Sequence, residues 1–153
     1  MLDNNYNGQN CSAARALEVV GERWTLLIVR ELFVRPRRFA EIQRELGIAK
    51  NVLTARLAKL VELEIVEKQP YTEARDWNDY RLTRKGADLF PVLNALMVWG
   101  DRYAAPDGPP LILQHECGHA AGHRLVCAYC GDDIILRTIE FVDGPGARSM
   151  TAH

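Results

Sequence analysis

The sequence predicts a mainly helical α+β fold that ends in a small β appendage, and three observations carry that prediction. Apolar residues recur at helical spacing over most of the first hundred positions, interrupted at short intervals by glycine and proline. Two short runs, 65–71 and 78–82, have the residue types of strands and are joined by a polar stretch. After Ala105-Pro106-Asp107-Gly108-Pro109-Pro110 the composition changes, and Cys117, Cys127 and Cys130 follow close together with His115, His119 and His123 beside them. The expected division is a helical unit at 1–104, a linker at 105–110, a Cys/His-containing β tail at 111–142 and a flexible end at 143–153.

Ser12 can cap a first helix that runs to Val20 and stops at Gly21. From Glu22 onward, Trp24, Leu27, Ile28, Leu32 and Phe33 repeat at helical spacing while Leu26 and Val29 fill the flanks. That pattern describes a deeply buried helix, which Pro36 ends. Phe39, Ile42 and Leu46 mark a short third helix closed by Gly47, and a fourth begins after Ile48 with Leu53, Leu57, Leu60 and Val61 on one face. A helix, a glycine-containing turn and a second helix of these lengths have the dimensions of a helix-turn-helix. Ile65–Tyr71 and Asn78–Leu82 then form a hairpin in the position of the wing of a winged helix. Thr83 caps a long last helix with a stripe of Leu89, Leu93, Leu96, Met97, Gly100 and Tyr103, bordered by Trp99, and Pro91 is expected to bend it. In the tail, Leu111–Gln114, Arg124–Val126 and Ile134–Val142 read as short β segments.

At 153 residues and 48% hydrophobic, the chain can bury a real core. Between Asp88 and Asp101 its most apolar uncharged stretch is 12 residues long and contains Pro91 and Asn94, too short for a bilayer span. Met1–Asn10 is polar and lacks the basic start and apolar run of a secretory signal, so a cytoplasmic protein with reduced thiols and no membrane partner is expected. The net charge of −1 hides an uneven distribution. Residues 35–85 hold 12 Lys or Arg against 8 Asp or Glu, a local +4, whereas 86–153 hold 4 against 8, a local −4. The middle third is where a polyanion would bind.

The polar face of the fourth helix carries Lys50, Asn51, Thr54, Arg56 and Lys59, with Glu62 and Glu64 held to its far end. Donors near a helix N-terminus are what base edges and phosphates require, because that terminus already attracts anions. An ordinary solvated helix face gives the same pattern. At the wing, Arg75 lies between Glu73 and Asp76 and is the candidate for a minor-groove or phosphate contact, with an intramolecular salt bridge as the alternative. The apolar stripe of the last helix calls for a partner, and the same helix of a second copy would supply one through Leu93, Leu96, Met97, Trp99 and Tyr103. Burial within one subunit is the alternative.

Several ordered blocks resemble the HxlR family, relatives of the MarR regulators. They are Cys11 with Ala16-Leu17-Glu18-Val19-Val20-Gly21-Glu22-Arg23-Trp24-Thr25-Leu26-Leu27-Ile28-Val29-Arg30-Glu31-Leu32, then Arg37-Arg38-Phe39-Ala40-Glu41-Ile42, Leu53-Thr54-Ala55-Arg56-Leu57, Tyr80-Arg81-Leu82-Thr83-Arg84-Lys85-Gly86 and Trp99-Gly100. The resemblance covers residues 11–104 and implies a dimeric winged helix-turn-helix transcription factor that binds double-stranded DNA, often as a repressor. Arg38, in the second of these blocks, is also counted among the candidate DNA-binding residues. Some members sense oxidants or electrophiles through an N-terminal cysteine, so Cys11 is the redox-sensing candidate, and a small-molecule or redox effector is the implied partner. A thiol at a helix N-terminus near Arg15 meets the physical requirement for reactivity. A small buried cysteine at the dimer seam is the other reading of that residue.

His115-Glu116-Cys117-Gly118-His119 matches the H-E-x-x-H pattern of zinc proteases. The mechanism needs both histidines on one helix face, and Gly118, Gly122 and the strand-like Leu111-Ile112-Leu113 argue against that helix, so no enzyme is expected. Cys127-Ala128-Tyr129-Cys130-Gly131 is a C-x-x-C-G turn that can aim two sulfurs at one ion. With His115 and Cys117, or His119 in place of His115, it would form a zinc-ribbon-like site holding structural zinc. A metal-free hairpin and a disulfide from Cys117 to Cys127 or Cys130 compete with it. The function expected overall is a sequence-specific regulator, a repressor reading a pseudo-palindromic operator as a homodimer. The alternative is a winged-helix and zinc-ribbon interaction factor of the transcription machinery, and a zinc metallohydrolase is third.

Overall fold

The computed structural model describes residues 10–72 and 75–147, with 71, 72 and 75–77 described by their backbone alone. In chain order the elements are α1 (Ser12–Val20), α2 (Thr25–Val34), β1 (Arg37–Arg38), α3 (Phe39–Leu46), α4 (Lys50–Glu62), β2 (Val66–Thr72), β3 (Arg75–Leu82), α5 (Arg84–Ala87), α6 (Phe90–Tyr103) and a 3-10 turn at Leu136–Thr138. The chain divides into two compact units, residues 1–93 and 94–153.

In the first unit the helical expectations hold with local corrections. Cys11, not Ser12, occupies the N-cap of α1, in extended conformation, and Ser12 is the first helical residue. The helix stops at Gly21, whose N–H donates to the Leu17 carbonyl at 2.7 Å. A Cβ on Gly21 would collide with that same oxygen, so glycine is required there by close approach. α2 begins at Thr25 rather than Glu22, because residues 22–24 form a turn closed by Thr25 N–H to the Glu22 carbonyl at 3.0 Å. Gly47 ends α3 in the left-handed conformation at φ 61°, as the sequence predicts. Just past α4, Glu64 takes φ 56°, and Ile65 N–H reaches back to the Leu60 carbonyl at 2.9 Å. That turn delivers Ile65 and Val66 straight into the core.

Arg37 and Arg38 form a strand that the sequence reading lacked, because two residues carry no periodicity. They pair with Tyr80 and Asp79, giving an antiparallel sheet of order β1-β3-β2. β3 starts at Arg75, earlier than expected, and Lys68 faces Tyr80 across the hairpin. Pro70 is tolerated because β2 is an edge strand, and the register shifts between Pro70 and Thr72. The core joins Ile28, Val29 and Leu32 of α2, Ile42 of α3, Ile48 of the turn that follows it, Leu53, Leu57 and Leu60 of α4, and Ile65 and Val66. α4 is thus fixed along one whole face.

Thr83 does cap a helix, accepting the Gly86 N–H at 3.1 Å while its hydroxyl donates to the Glu64 carbonyl at 2.6 Å. The helix is short, however. α5 ends at Ala87, and α6 starts afresh at Phe90. Pro91 therefore does not bend a long helix. It sits in the first turn of a new one, where its missing N–H has no intrahelical partner to lose.

Glu41 secures the head of α3. Its carboxylate accepts from the Arg35 guanidinium at 2.7 Å and from the Arg38 backbone N–H at 2.8 Å. Those two donors, Arg35 first, hold its pKa down, from 4.5 to about 2. A carboxyl whose folded pKa is depressed stabilises the fold fully above its unfolded value, and that stability is lost as pH falls through about 2. Glu41→Gln should therefore lower unfolding stability at neutral pH, with the deficit shrinking through this acid window in urea titrations. A deficit independent of pH would contradict the assignment.

In the second unit the tail is less regular than predicted. The two hairpins are held by single bridges, Gln114 to Ala120 and Val126 to Asp133, rather than by strands. Ile134–Val142 is not a β segment, because Leu136–Thr138 coils into a 3-10 turn. The Thr138 hydroxyl donates to the Ile135 carbonyl at 2.9 Å and accepts the Ile135 N–H at 3.1 Å, a local turn that outcompetes pairing. The expected flexible end falls partly outside the described residues, which stop at 147.

Candidate nucleic-acid interface

α4 is amphipathic in the sense the sequence predicts. Leu53, Leu57 and Leu60 are buried, and Lys50, Asn51, Thr54, Ala55, Ala58 and Lys59 are exposed on the opposite side. Ala55 and Ala58 were missed by a reading that looked only for donors. They lie in line with Asn51 and Thr54, and their small side chains permit close approach to a groove, where a methyl can also meet a thymine. At the head of the helix, Ala49 provides no side-chain cap and the first turn contains no acid. The backbone N–H groups there remain available to an anion.

The donors on α4 are not equivalent. Lys50 and Asn51 stand at its exposed N-terminal end. The Thr54 hydroxyl donates to the Lys50 carbonyl at 2.9 Å and can still accept. Lys59 pairs with Glu62 at 3.0 Å on a solvated surface, a contact that an incoming phosphate can replace. Arg56 corrects the expectation. It is half-buried and its guanidinium is held by Glu22 at 2.9 Å, which ties α4 to the turn before α2. Arg38 heads α3 from β1, with its guanidinium 3.7 Å from Asp79. The Arg75 side chain lies outside the described residues, so its wing contact stands as an expectation only. On β2, Lys68 and Gln69 are exposed, and the Lys68 ammonium lies 6.0 Å from the centre of the Tyr80 ring. Lys68 is a wing cation that sequence reasoning passed over, because its place opposite Tyr80 depends on the hairpin register.

α6 carries an exposed stripe of Val92, Leu96, Trp99 and Tyr103, each between 49% and 65% exposed. The spacing of four, three and four residues puts them in one line, and the Trp99 and Tyr103 rings lie 5.4 Å apart. This revises the expected seam. Leu93 is 6% exposed and belongs to its own subunit, and Met97, half-buried, lines a shallow cleft with Val98, Leu111 and Leu113. Val92, by contrast, stands on the exposed line. Cys11 is exposed rather than buried. The N–H groups of Ala14 and Ala13 point at its sulfur and, with the Arg15 charge, lower its pKa.

The Cys/His tail does not assemble as expected. Residues 115–119 form a turn with Gly118 at φ 85°, not a helix, so the H-E-x-x-H geometry of a metallohydrolase is absent. His119 Nδ1 lies 3.2 Å from the Cys117 carbonyl, and the Cys117 N–H donates to His115 Nδ1 at 3.3 Å. Among the described residues no group of three or more His, Cys, Asp or Glu side chains converges on a metal position. His115, Cys117, Cys127 and Cys130 as arranged do not fit the four-ligand zinc centre anticipated from the spacing.

A helix-turn-helix with an exposed second helix, followed by a β hairpin, defines a winged helix-turn-helix transcriptional regulator. The HxlR-like helix-turn-helix model matches residues 19–108. The chain belongs to that family, whose members are regulators and not enzymes. It is 45% identical over 153 residues to an uncharacterized HTH-type transcriptional regulator of Mycobacterium tuberculosis (strain CDC 1551 / Oshkosh), covering 99% of this chain and 96% of the relative. The crystal structure of PA1607, named as a candidate transcription factor, is similar with a TM-score of 0.79 and 38% identity, covering 88% of this chain and 96% of that one. The quinone-bound structure of YodB from Bacillus subtilis matches with a TM-score of 0.53 and 34% identity over 61% of this chain and 99% of its own. No helix among the described residues is long and apolar enough to cross a membrane.

Proposed function

We propose that the protein is a homodimeric repressor that reads a pseudo-palindromic operator with α4. The observation that carries this reading is the uninterrupted exposed line of Lys50, Asn51, Thr54, Ala55 and Ala58, leading from an uncapped helix N-terminus. Joining two copies along α6 would present two such helices, and half-sites one helical turn apart, about 34–36 Å, would accept them. The experiment is a mobility-shift titration with duplex from upstream of the protein's own gene, set against random duplex at rising salt. Selective binding with a steep salt-dependent loss is expected, and equal affinity for both duplexes refutes the reading. A reporter driven by the bound promoter should be silenced by the protein.

The position of Cys11 supports a second element, control of DNA binding by an electrophile or oxidant. Its exposed thiol faces the Ala14 and Ala13 N–H groups, and a similar structure, YodB, is known with quinone bound. A quinone should alkylate Cys11 ahead of Cys117 and release the operator, and the Cys11→Ser protein should keep it. Release from the Cys11→Ser protein as well would remove Cys11 from the mechanism.

A further inference from the structure

The tail cysteines divide unequally. Cys117 sits in one turn, its backbone N–H and carbonyl bonded to His115 and His119, whereas Cys127 and Cys130 share the other. In that second turn the Gly131 N–H donates to the Cys127 carbonyl at 2.9 Å and Gly131 takes φ 78°, so the chain reverses within the C-x-x-C-G segment. Cys127 N–H to the Asp132 carbonyl at 2.8 Å and Ile134 N–H to the Leu125 carbonyl at 2.8 Å close the hairpin below it. Arg124 clamps the base through both oxygens of Asp133, at 2.9 and 3.1 Å.

This scaffold brings the two sulfurs together. The Cys127 sulfur receives the backbone N–H groups of Cys130 and Tyr129 and lies within hydrogen-bond reach of the Cys130 thiol. Cys130 is exposed and Cys127 is partly so, so a small solute reaches both. A zinc ion needs two further donors, and no third His, Cys, Asp or Glu side chain converges here among the described residues. A disulfide needs only the two sulfurs, on a turn that already holds them close.

We propose that Cys127 and Cys130 are a dithiol–disulfide pair oxidised by hydroperoxides, with Cys127 as the attacking sulfur. The Cys127 thiolate attacks the distal peroxide oxygen, the O–O bond breaks, and the alkoxide or hydroxide leaves and takes up a proton. The Cys130 thiol then gives up its proton as its sulfur attacks the Cys127 sulfenic acid, and water departs as the Sγ–Sγ bond forms. Two electrons pass from the dithiol to one peroxide, and a thiol reductant reverses the change. The backbone N–H donors that face the Cys127 sulfur fit that division of roles.

The test uses the full chain carrying Cys11→Ser and Cys117→Ser, treated with hydrogen peroxide and then alkylated. Both remaining thiols should be lost together, the tryptic peptide 125–137 should be lighter by two hydrogens, and dithiothreitol should restore both. With Cys130→Ser added, a dimedone adduct should appear on Cys127, and with Cys127→Ser in its place none should appear on Cys130. Thiols that survive peroxide, sulfinic acid on Cys127 beside a free Cys130, or the reverse dimedone pattern would overturn the proposal. So would a wild-type chain that links either residue to Cys117, or that purifies with stoichiometric zinc shielding both cysteines from alkylation until a chelator is added.

Discussion

Asn51→Ala is expected to erase the protein's preference at the base it faces, raising tolerance of mismatches there by about 1–3 kcal/mol while leaving affinity for random duplex nearly unchanged. A carboxamide offers a donor and an acceptor side by side, which suits an adenine edge, and alanine offers neither. Lys50→Ala should behave differently. An ammonium at the head of α4 adds to the field of the helix terminus and would meet phosphate. Its loss should weaken binding to every duplex and lower the salt slope by roughly one. Arg56→Ala serves as the control: because Glu22 holds its guanidinium at 2.9 Å, its removal should affect stability more than DNA affinity. Competitive shift assays on an operator and single-base mismatches separate these outcomes. If the Asn51 and Lys50 variants both bind as the parent does, α4 is not the reading helix.

The helices and the core of the first unit were legible because burial there is periodic. Leu53, Leu57 and Leu60 announce the face that α4 hides and, by subtraction, the face it shows. What was not legible depends on contacts distant in sequence. The Arg56–Glu22 pair joins α4 to the turn before α2, so a cation that looked free along α4 is held by an acid distant in sequence. The break between α5 and α6 was hidden because the apolar stripe continues through Leu89, which packs on the core, into a helix that begins at Phe90. In the tail, Cys/His spacing suggested four converging ligands, but spacing constrains only neighbours on one turn. It found the Cys127–Cys130 pair and could not place Cys117 relative to it.

If two copies join along α6 as proposed, Leu96→Asp combined with Trp99→Asp should leave the protein monomeric and cost most of the operator affinity. Both side chains are more than half exposed in the protomer, so no core cavity is created and the fold should survive, as near-ultraviolet dichroism would verify. In a two-fold interface each substitution acts twice. Burying one Leu fully contributes about 1.5–3 kcal/mol, so losing Leu96 from both copies removes roughly 3–6 kcal/mol before the cost of burying a carboxylate. Binding of the second half-site then ceases to be intramolecular, an affinity loss of roughly 10²–10⁴-fold. Sedimentation should show the monomer, and shift assays should show single half-site binding with a reduced salt slope. If the variant stays dimeric and binds as before, copies join through another surface, and the line of Val92, Leu96, Trp99 and Tyr103 requires a different partner.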